Sequence, residues 1–167
     1  MITIIAGTNR LGSYTRKVAK EYERILQEKG LNSAFLSLED VHSVKRDANF
    51  ESIEQKYLLR AKFFIFVLPE YNGSFPGFFK LFIDNTKPNE AWLGKKALLV
   101  GNSTGRAGNL RGLDQITGIL NHMKMTVHPN KLPISVINKL MDENGKFVDE
   151  NTLAAINTQL DEFIKWV

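Results

Sequence analysis

The sequence predicts a three-layer, doubly wound α/β domain with a five-stranded parallel sheet in the order 2-1-3-4-5. Short, continuously apolar runs alternate five times with stretches whose apolar residues recur at helical spacing. That is the pattern of strands buried on both faces between amphipathic helices. Right-handed crossovers between parallel neighbours then place helices on both sides of the sheet. A chain of 167 residues suits a single domain, 1–167, and five strands at this length favour that order over a six-stranded dinucleotide-binding sheet.

Ile2-Thr-Ile-Ile-Ala6 ends at Gly7 and reads as a buried strand. Val18, Ala19, Tyr22, Ile25 and Leu26 form the apolar face of a first helix, which Gly30 stops. Ala34 to Leu38 is a second, weaker strand. Phe50, Ile53, Tyr57 and Leu58 predict a second helix after the polar stretch from Glu39 to Asn49. Phe63-Phe-Ile-Phe-Val-Leu68, bounded by Pro69, is the strongest strand. Pro76 stands where a third helix begins, with Phe78, Phe79, Phe82 and Ile83 at helical intervals. Ala97 to Val100 is a fourth strand ending at Gly101, and Leu110, Leu113, Ile116, Thr117 and Leu120 mark the helix after it. Met123 to His128 reads as the fifth strand. The stretch from Pro129 to Val148, with Pro133 and the turn Asp142-Glu-Asn-Gly145, is long for one connection and holds either an edge strand or a cap. Asp149 is placed to cap a closing helix faced by Leu153, Ile156, Leu160, Phe163 and Ile164.

Composition narrows the chemistry. With 43% hydrophobic and 24% charged residues the chain has a globular profile, and no apolar run reaches the length of a membrane span. Cysteine is absent, which removes disulfides, thiolate metal sites, iron–sulfur clusters and cysteine nucleophiles. His42, His122 and His128 have no i, i+4 pairing, so no metal site is expected. The 22 basic and 18 acidic residues give +4. The basic residues are scattered with no run longer than two, which suits anionic small molecules and provides no nucleic-acid stripe. Met1-Ile-Thr-Ile-Ile lacks the basic opening of a secretory signal, so the expected location is cytoplasmic. The phenylalanines read as core, except that Phe75 and Phe78 are near enough to a loop to face a partner subunit instead. Trp92 is expected near the site or an interface, and the closing helix covers the sheet rather than a membrane.

Ligands in such folds sit beyond the carboxyl ends of the strands, so the loops after strands one, three and four share one site. The first is Gly7-Thr-Asn-Arg-Leu-Gly-Ser-Tyr-Thr15, entering a helix. Its free N–H groups, the hydroxyls of Thr8, Ser13 and Thr15, and Arg10 together fit a phosphate monoester. An ordinary polar strand–helix turn is the other reading of this loop taken alone. It is no P-loop, because Ser13 stands where Lys is needed and Tyr14 where Ser or Thr is needed. The second loop, Pro69-Glu-Tyr-Asn-Gly-Ser-Phe-Pro-Gly77, offers backbone N–H groups beside Tyr71, suited to a flat heteroaromatic ring; a tight turn with a core-facing Tyr is the alternative. The third, Gly101-Asn-Ser-Thr-Gly-Arg-Ala-Gly-Asn-Leu-Arg111, lets backbone approach a ligand closely. Arg106 or Arg111 would meet a phosphate there.

Thr8-Asn-Arg-x-Gly-Ser-x-Thr-Arg16, Leu68-Pro-Glu-Tyr-Asn-Gly-Ser-x-Pro-Gly77 with Lys80 and Ile83-Asp84, and Ser103-Thr-Gly-Arg-Ala-Gly108 resemble the NAD(P)H-dependent FMN reductase family. Its members are flavodoxin-like quinone, azo-dye and chromate reductases. The resemblance covers roughly residues 1–128 and implies FMN as cofactor, with NADPH or NADH as electron donor. It implies phosphate contacts from Thr8, Arg10, Ser13 and Thr15, ring contacts, chiefly by backbone, from Pro69, Glu70, Tyr71, Asn72 and Ser74, and places Tyr14 and Gly73 among the cofactor-binding residues. It further implies that Ser103, Thr104 and Gly105 line the flavin's far edge, with Arg106 toward the nicotinamide nucleotide. The expected assembly is a homodimer or homotetramer, and the expected partner a small-molecule electron acceptor.

Two departures stand out. Thr15 replaces a frequent Asn, and Asn109 stands where family members often have a second consecutive glycine. The flavin carries the redox chemistry, so no catalytic acid, base or nucleophile is expected. A flavodoxin-type electron carrier is the alternative, although such carriers are usually strongly acidic. A binding module whose third loop no longer holds flavin is a further one. The second strand runs out at Glu39-Asp40, away from where the nicotinamide cofactor is expected, and nothing follows from it for NADPH against NADH.

Overall fold

The computed structural model describes residues 1–167. Six strands form one sheet: β1 (Ile2–Ala6), β2 (Ser33–Ser37), β3 (Phe63–Pro69), β4 (Lys96–Asn102), β5 (Thr126–Val127) and β6 (Leu132–Ile134). All pairings are parallel, in the order β2-β1-β3-β4-β5, with β6 also on β4. Helices α1 (Tyr14–Glu28) and α6 (Glu150–Trp166) cover one face. On the other lie α2 (Ala48–Ile53), α3 (Gly77–Asp84), α4 (Pro88–Ala91) and α5 (Leu110–His122). This is the three-layer arrangement expected from the sequence, and the winding reverses between β1 and β3.

Successive strand residues divide between the two cores because side chains alternate across a sheet. Ile5, Phe64, Phe66, Leu68 and Leu99 join one core, while Ile4, Ala6, Ile65, Val67, Leu98 and Val100 join the other. Trp92 is fully buried against Phe64 and Phe66, at ring distances of 5.2 and 6.0 Å, and its indole N–H donates to Thr86 Oγ1 at 2.7 Å. It therefore belongs to the core, not to a site or an interface. Phe75 and Phe78 are half-buried against the same core.

The fifth strand is the main correction. Met123 and Lys124 finish the turn after α5, Lys124 in a left-handed conformation, so only Thr126 and Val127 reach the sheet. They pair with Lys96 and Ala97, whereas Leu132, Pro133 and Ile134 pair with Val100, Gly101 and Asn102. Two short pieces thus fill one strand position, with Pro133 tolerated because β6 is an edge. Of the two readings of the Pro129–Val148 stretch, the edge strand is the one present. The second helix starts at Ala48, where Asp47 accepts the Phe50 N–H at 2.9 Å, and runs on into a wider π-type turn over Glu54–Leu59. Asp149 caps α6 as expected, accepting the Thr152 N–H at 2.7 Å. No helix is long and apolar enough to cross a membrane.

A buried polar link joins α1 to α6 and the sheet. The Tyr22 hydroxyl donates to Gln159 Oε1 at 2.6 Å, and the Gln159 amide donates to the carbonyls of Leu99 and Asn130 at 3.1 and 2.9 Å. Tyr22→Phe strands a buried amide oxygen. The expected loss is about 1–3 kcal/mol of stability. It should appear as a lower urea midpoint with an unchanged slope.

Candidate functional site

The loops after β1, β3 and β4 converge on a half-open cleft of about 230 Å³. Its lining comes from Arg10, Ser13, Tyr14 and Thr15 of the first loop, Pro69, Glu70 and Tyr71 of the second, and Ser103 and Thr104 of the third. Leu11, Asn102 and Ile137 complete it. Nine of the residues singled out from the sequence therefore meet at one surface. Thr8 lies behind it, fully buried, its hydroxyl 2.6 Å from the Tyr71 hydroxyl and accepting the Arg10 N–H at 3.3 Å. Asn72, Gly73, Ser74, Gly105 and Arg106 sit in the adjoining turns outside the lining.

The first loop enters α1 through Ser13, whose side chain accepts the Arg16 N–H at 3.2 Å as a helix cap. The N–H groups of Tyr14 and Thr15 open the helix and meet no acceptor within the protein. They carry the partial positive charge of a helix start. The Arg10 guanidinium lies 4.0 Å over the Tyr71 ring and has no carboxylate partner. It covers one face of the ring that the sequence offered for stacking.

The second loop is a tight hairpin. Tyr71 and Ser74 exchange backbone hydrogen bonds of 2.8 and 3.2 Å, while Asn72 and Gly73 are left-handed at φ 53° and 78°. An Asn-Gly pair adopts this turn readily, and it leaves both central N–H groups without acceptors. The third loop presents further free N–H groups at Thr104, Gly105, Arg106 and Ala107.

Two features hold the third loop, and sequence reasoning found neither. Asn109 takes the left-handed conformation at φ 70° that a glycine would take, and its amide donates to the Leu68 and Pro69 carbonyls at 3.0 and 2.9 Å. Its N–H donates to Glu70 at 3.2 Å, so Glu70 joins the second loop to the third. The missing second glycine is thus replaced by a residue that keeps the backbone shape and adds anchors. An Asn directly after Gly108, a residue type that tolerates the left-handed conformation, was the available signal. The other feature is the segment after β5. Ser103 N–H donates to Ile134 O, Val136 N–H to Gly105 O, and Ile137 N–H to Ser103 O, all within 3.0 Å, and this brings Ile137 into the cleft.

Asn102 is 3% exposed and lines the cleft, yet its side-chain oxygen has no partner. An unmet buried acceptor calls for a ligand bearing O–H or N–H groups. The free N–H groups call for acceptors, and Arg10 for an anion. FMN combines all three in its ribityl hydroxyls and imide N–H, its ring carbonyls and its phosphate, so the residues present fit it.

The fold is flavodoxin-like, and the cleft offers the groups that an FMN-dependent oxidoreductase needs. A family profile described as NADPH-dependent FMN reductase matches residues 1–138, and the chain belongs to that family. It is 28% identical to an NAD(P)H-dependent FMN reductase of Pseudomonas aeruginosa, over 98% of this chain and 92% of the relative. It is 23% identical to a 2-hydroxy-1,4-benzoquinone reductase of a Burkholderia species, over 99% and 95%. Among solved structures, the flavoenzyme NAD(P)H:(acceptor) oxidoreductase FerB of Paracoccus denitrificans shares the fold at a TM-score of 0.78 and 21% identity, covering 99% of this chain and 95% of that one.

Asn109→Ala and Asn109→Gly both remove the side-chain anchors, but only alanine is strained in the left-handed region. Alanine is expected to cost about 1–2 kcal/mol more than glycine. The comparison is made by urea unfolding of the two variants, and equal losses would show that the strain is not expressed.

Proposed function

We propose that the protein is an NAD(P)H oxidoreductase that uses FMN to pass electrons from NADPH or NADH to a small acceptor, in a ping-pong order. The acceptor class is a quinone, an azo compound, a metal ion or free flavin. The observation that carries this reading is the convergence of unpaired backbone donors, one free cation and one unmet buried acceptor on a single cleft at the strand ends. Bound FMN supplies the redox chemistry, accepting a hydride and giving up two electrons, which is why the site needs no nucleophile or general acid–base pair.

The chain's own task is placement. Tyr14 and Thr15 N–H groups and Arg10 hold the phosphate end. The Asn72, Gly73, Thr104 and Gly105 N–H groups are fixed by backbone conformation, and Asn102 is held by the sheet. Donors already in position favour a more negative ring without reorganising. The half-open mouth leaves room for a nicotinamide or an acceptor to enter in turn, and Arg106, exposed and without an ion-pair partner, is available to the donor nucleotide. A homodimer or homotetramer in the cytoplasm accompanies this reading, with the partly exposed Leu81 and Leu93 as apolar surface for a second copy.

The test is an anaerobic absorbance experiment on protein mixed with FMN. Bleaching of the flavin band by one equivalent of NADPH or NADH, and its return on adding a quinone, is the expected result. Flavin that stays oxidised with both nucleotides would favour the electron-carrier reading. Where desalting strips the flavin, NAD(P)H turnover in excess FMN replaces the stoichiometric readout.

A further inference from the structure

At the phosphate end of the cleft, a carboxylate of the chain itself occupies donors that an anion would use. Glu39 comes from the short turn after β2, and its side chain is only 5% exposed. One oxygen accepts the Ser13 N–H at 3.2 Å and the Ser13 hydroxyl at 2.6 Å; the other lies 3.3 Å from the Arg16 guanidinium. With its proton given to Glu39, the Ser13 hydroxyl has none to give a phosphate. Arg16 does not neutralise the carboxylate, because it is shared with Asp40 at 3.1 and 3.2 Å, leaving two negative groups on one positive group. Arg10 is the one unpaired cation of the cleft; its remaining recognition groups are neutral, the unmet Asn102 oxygen and the free N–H groups of the loops.

We infer that Glu39 sets the flavin specificity of this site by weakening its grip on the phosphate. It holds both Ser13 donors and places negative charge beside the first turn of α1, so a phosphate there meets like-charge repulsion. Arg10 and the Tyr14 and Thr15 N–H groups are left to offset that repulsion, and the larger share of recognition falls on the uncharged ribityl and ring portions. The chain therefore distinguishes poorly between a flavin with a phosphate and one without, and FMN exchanges readily as a substrate. This inference rests on the proposed reading of the cleft as an FMN site.

Titration of the wild type, Glu39→Gln and Glu39→Asp with FMN and with riboflavin, followed by flavin fluorescence at fixed ionic strength, tests it without any turnover. The wild type is expected to bind the two flavins within about tenfold of each other. Glu39→Gln removes the charge at constant shape and is expected to tighten FMN about tenfold while leaving riboflavin unchanged. Glu39→Asp keeps the charge and should keep the wild-type preference. Unchanged or weaker FMN binding in Glu39→Gln, or equal tightening of both flavins, would overturn the inference. Should Glu39→Gln not fold, the wild-type pair still decides: FMN preferred by about a hundredfold or more overturns it. Riboflavin and FMN both failing to bind the wild type would overturn the FMN reading itself, a result distinct from any of these.

Discussion

The site depends on the register of four adjacent strands. Ala6 pairs with Val67, Val67 with Val100, and Val100 with Leu132, so β1, β3, β4 and β6 are aligned near their carboxyl ends. Loops leaving aligned strands must emerge side by side. Gly7 continues this alignment by donating to Val67 O at 2.8 Å, and a side chain there would approach Leu68 Cδ2 to 2.3 Å. Slipping β3 by one residue would put Phe64, Phe66 and Leu68 into the space of Ile65 and Val67 and the reverse, so the close packing that fills both cores also fixes the cleft. Stability and site geometry share one constraint.

What the sequence made legible follows from how local each signal is. The runs at Ile2–Ala6 and Phe63–Leu68 declare themselves by uninterrupted apolar character, and α1, α5 and α6 by spacing. The Asn72-Gly73 turn sits where its pair of residues says it should. The divided fifth strand was hidden because two- and three-residue strands have too few positions to show a period. Only pairing with β4, more than 25 residues earlier in the chain, makes Thr126–Val127 and Leu132–Ile134 strands at all. Trp92 was misplaced for the same reason: its burial depends on phenylalanines in another strand.

The cleft shows a similar division. Its loops could be picked out because glycine and polar residues cluster after strands. Glu39 and Ile137 could not be, and Asn109 showed only as a departure and not as an anchor, since each acts through partners well separated in sequence: Ser13, Ser103 and Leu68 respectively. Thr8 was chosen for its hydroxyl and proved to serve Tyr71 from behind. Residue type identifies what a side chain can donate or accept, but occupancy by another part of the chain decides whether it is available.

Much of the cleft's donor set belongs to the backbone, and this bears on how the surface can diverge. A free N–H at Thr104 or Gly73 is independent of the side chain, provided the local dihedrals persist. Sequence change in the loops is therefore tolerated where conformation is ordinary and resisted at left-handed positions or close approaches such as Gly101, where a methyl group would lie 2.1 Å from the Gly108 carbonyl. Side chains at the rim can therefore change with little effect on the cradle, whose shape is written into the backbone.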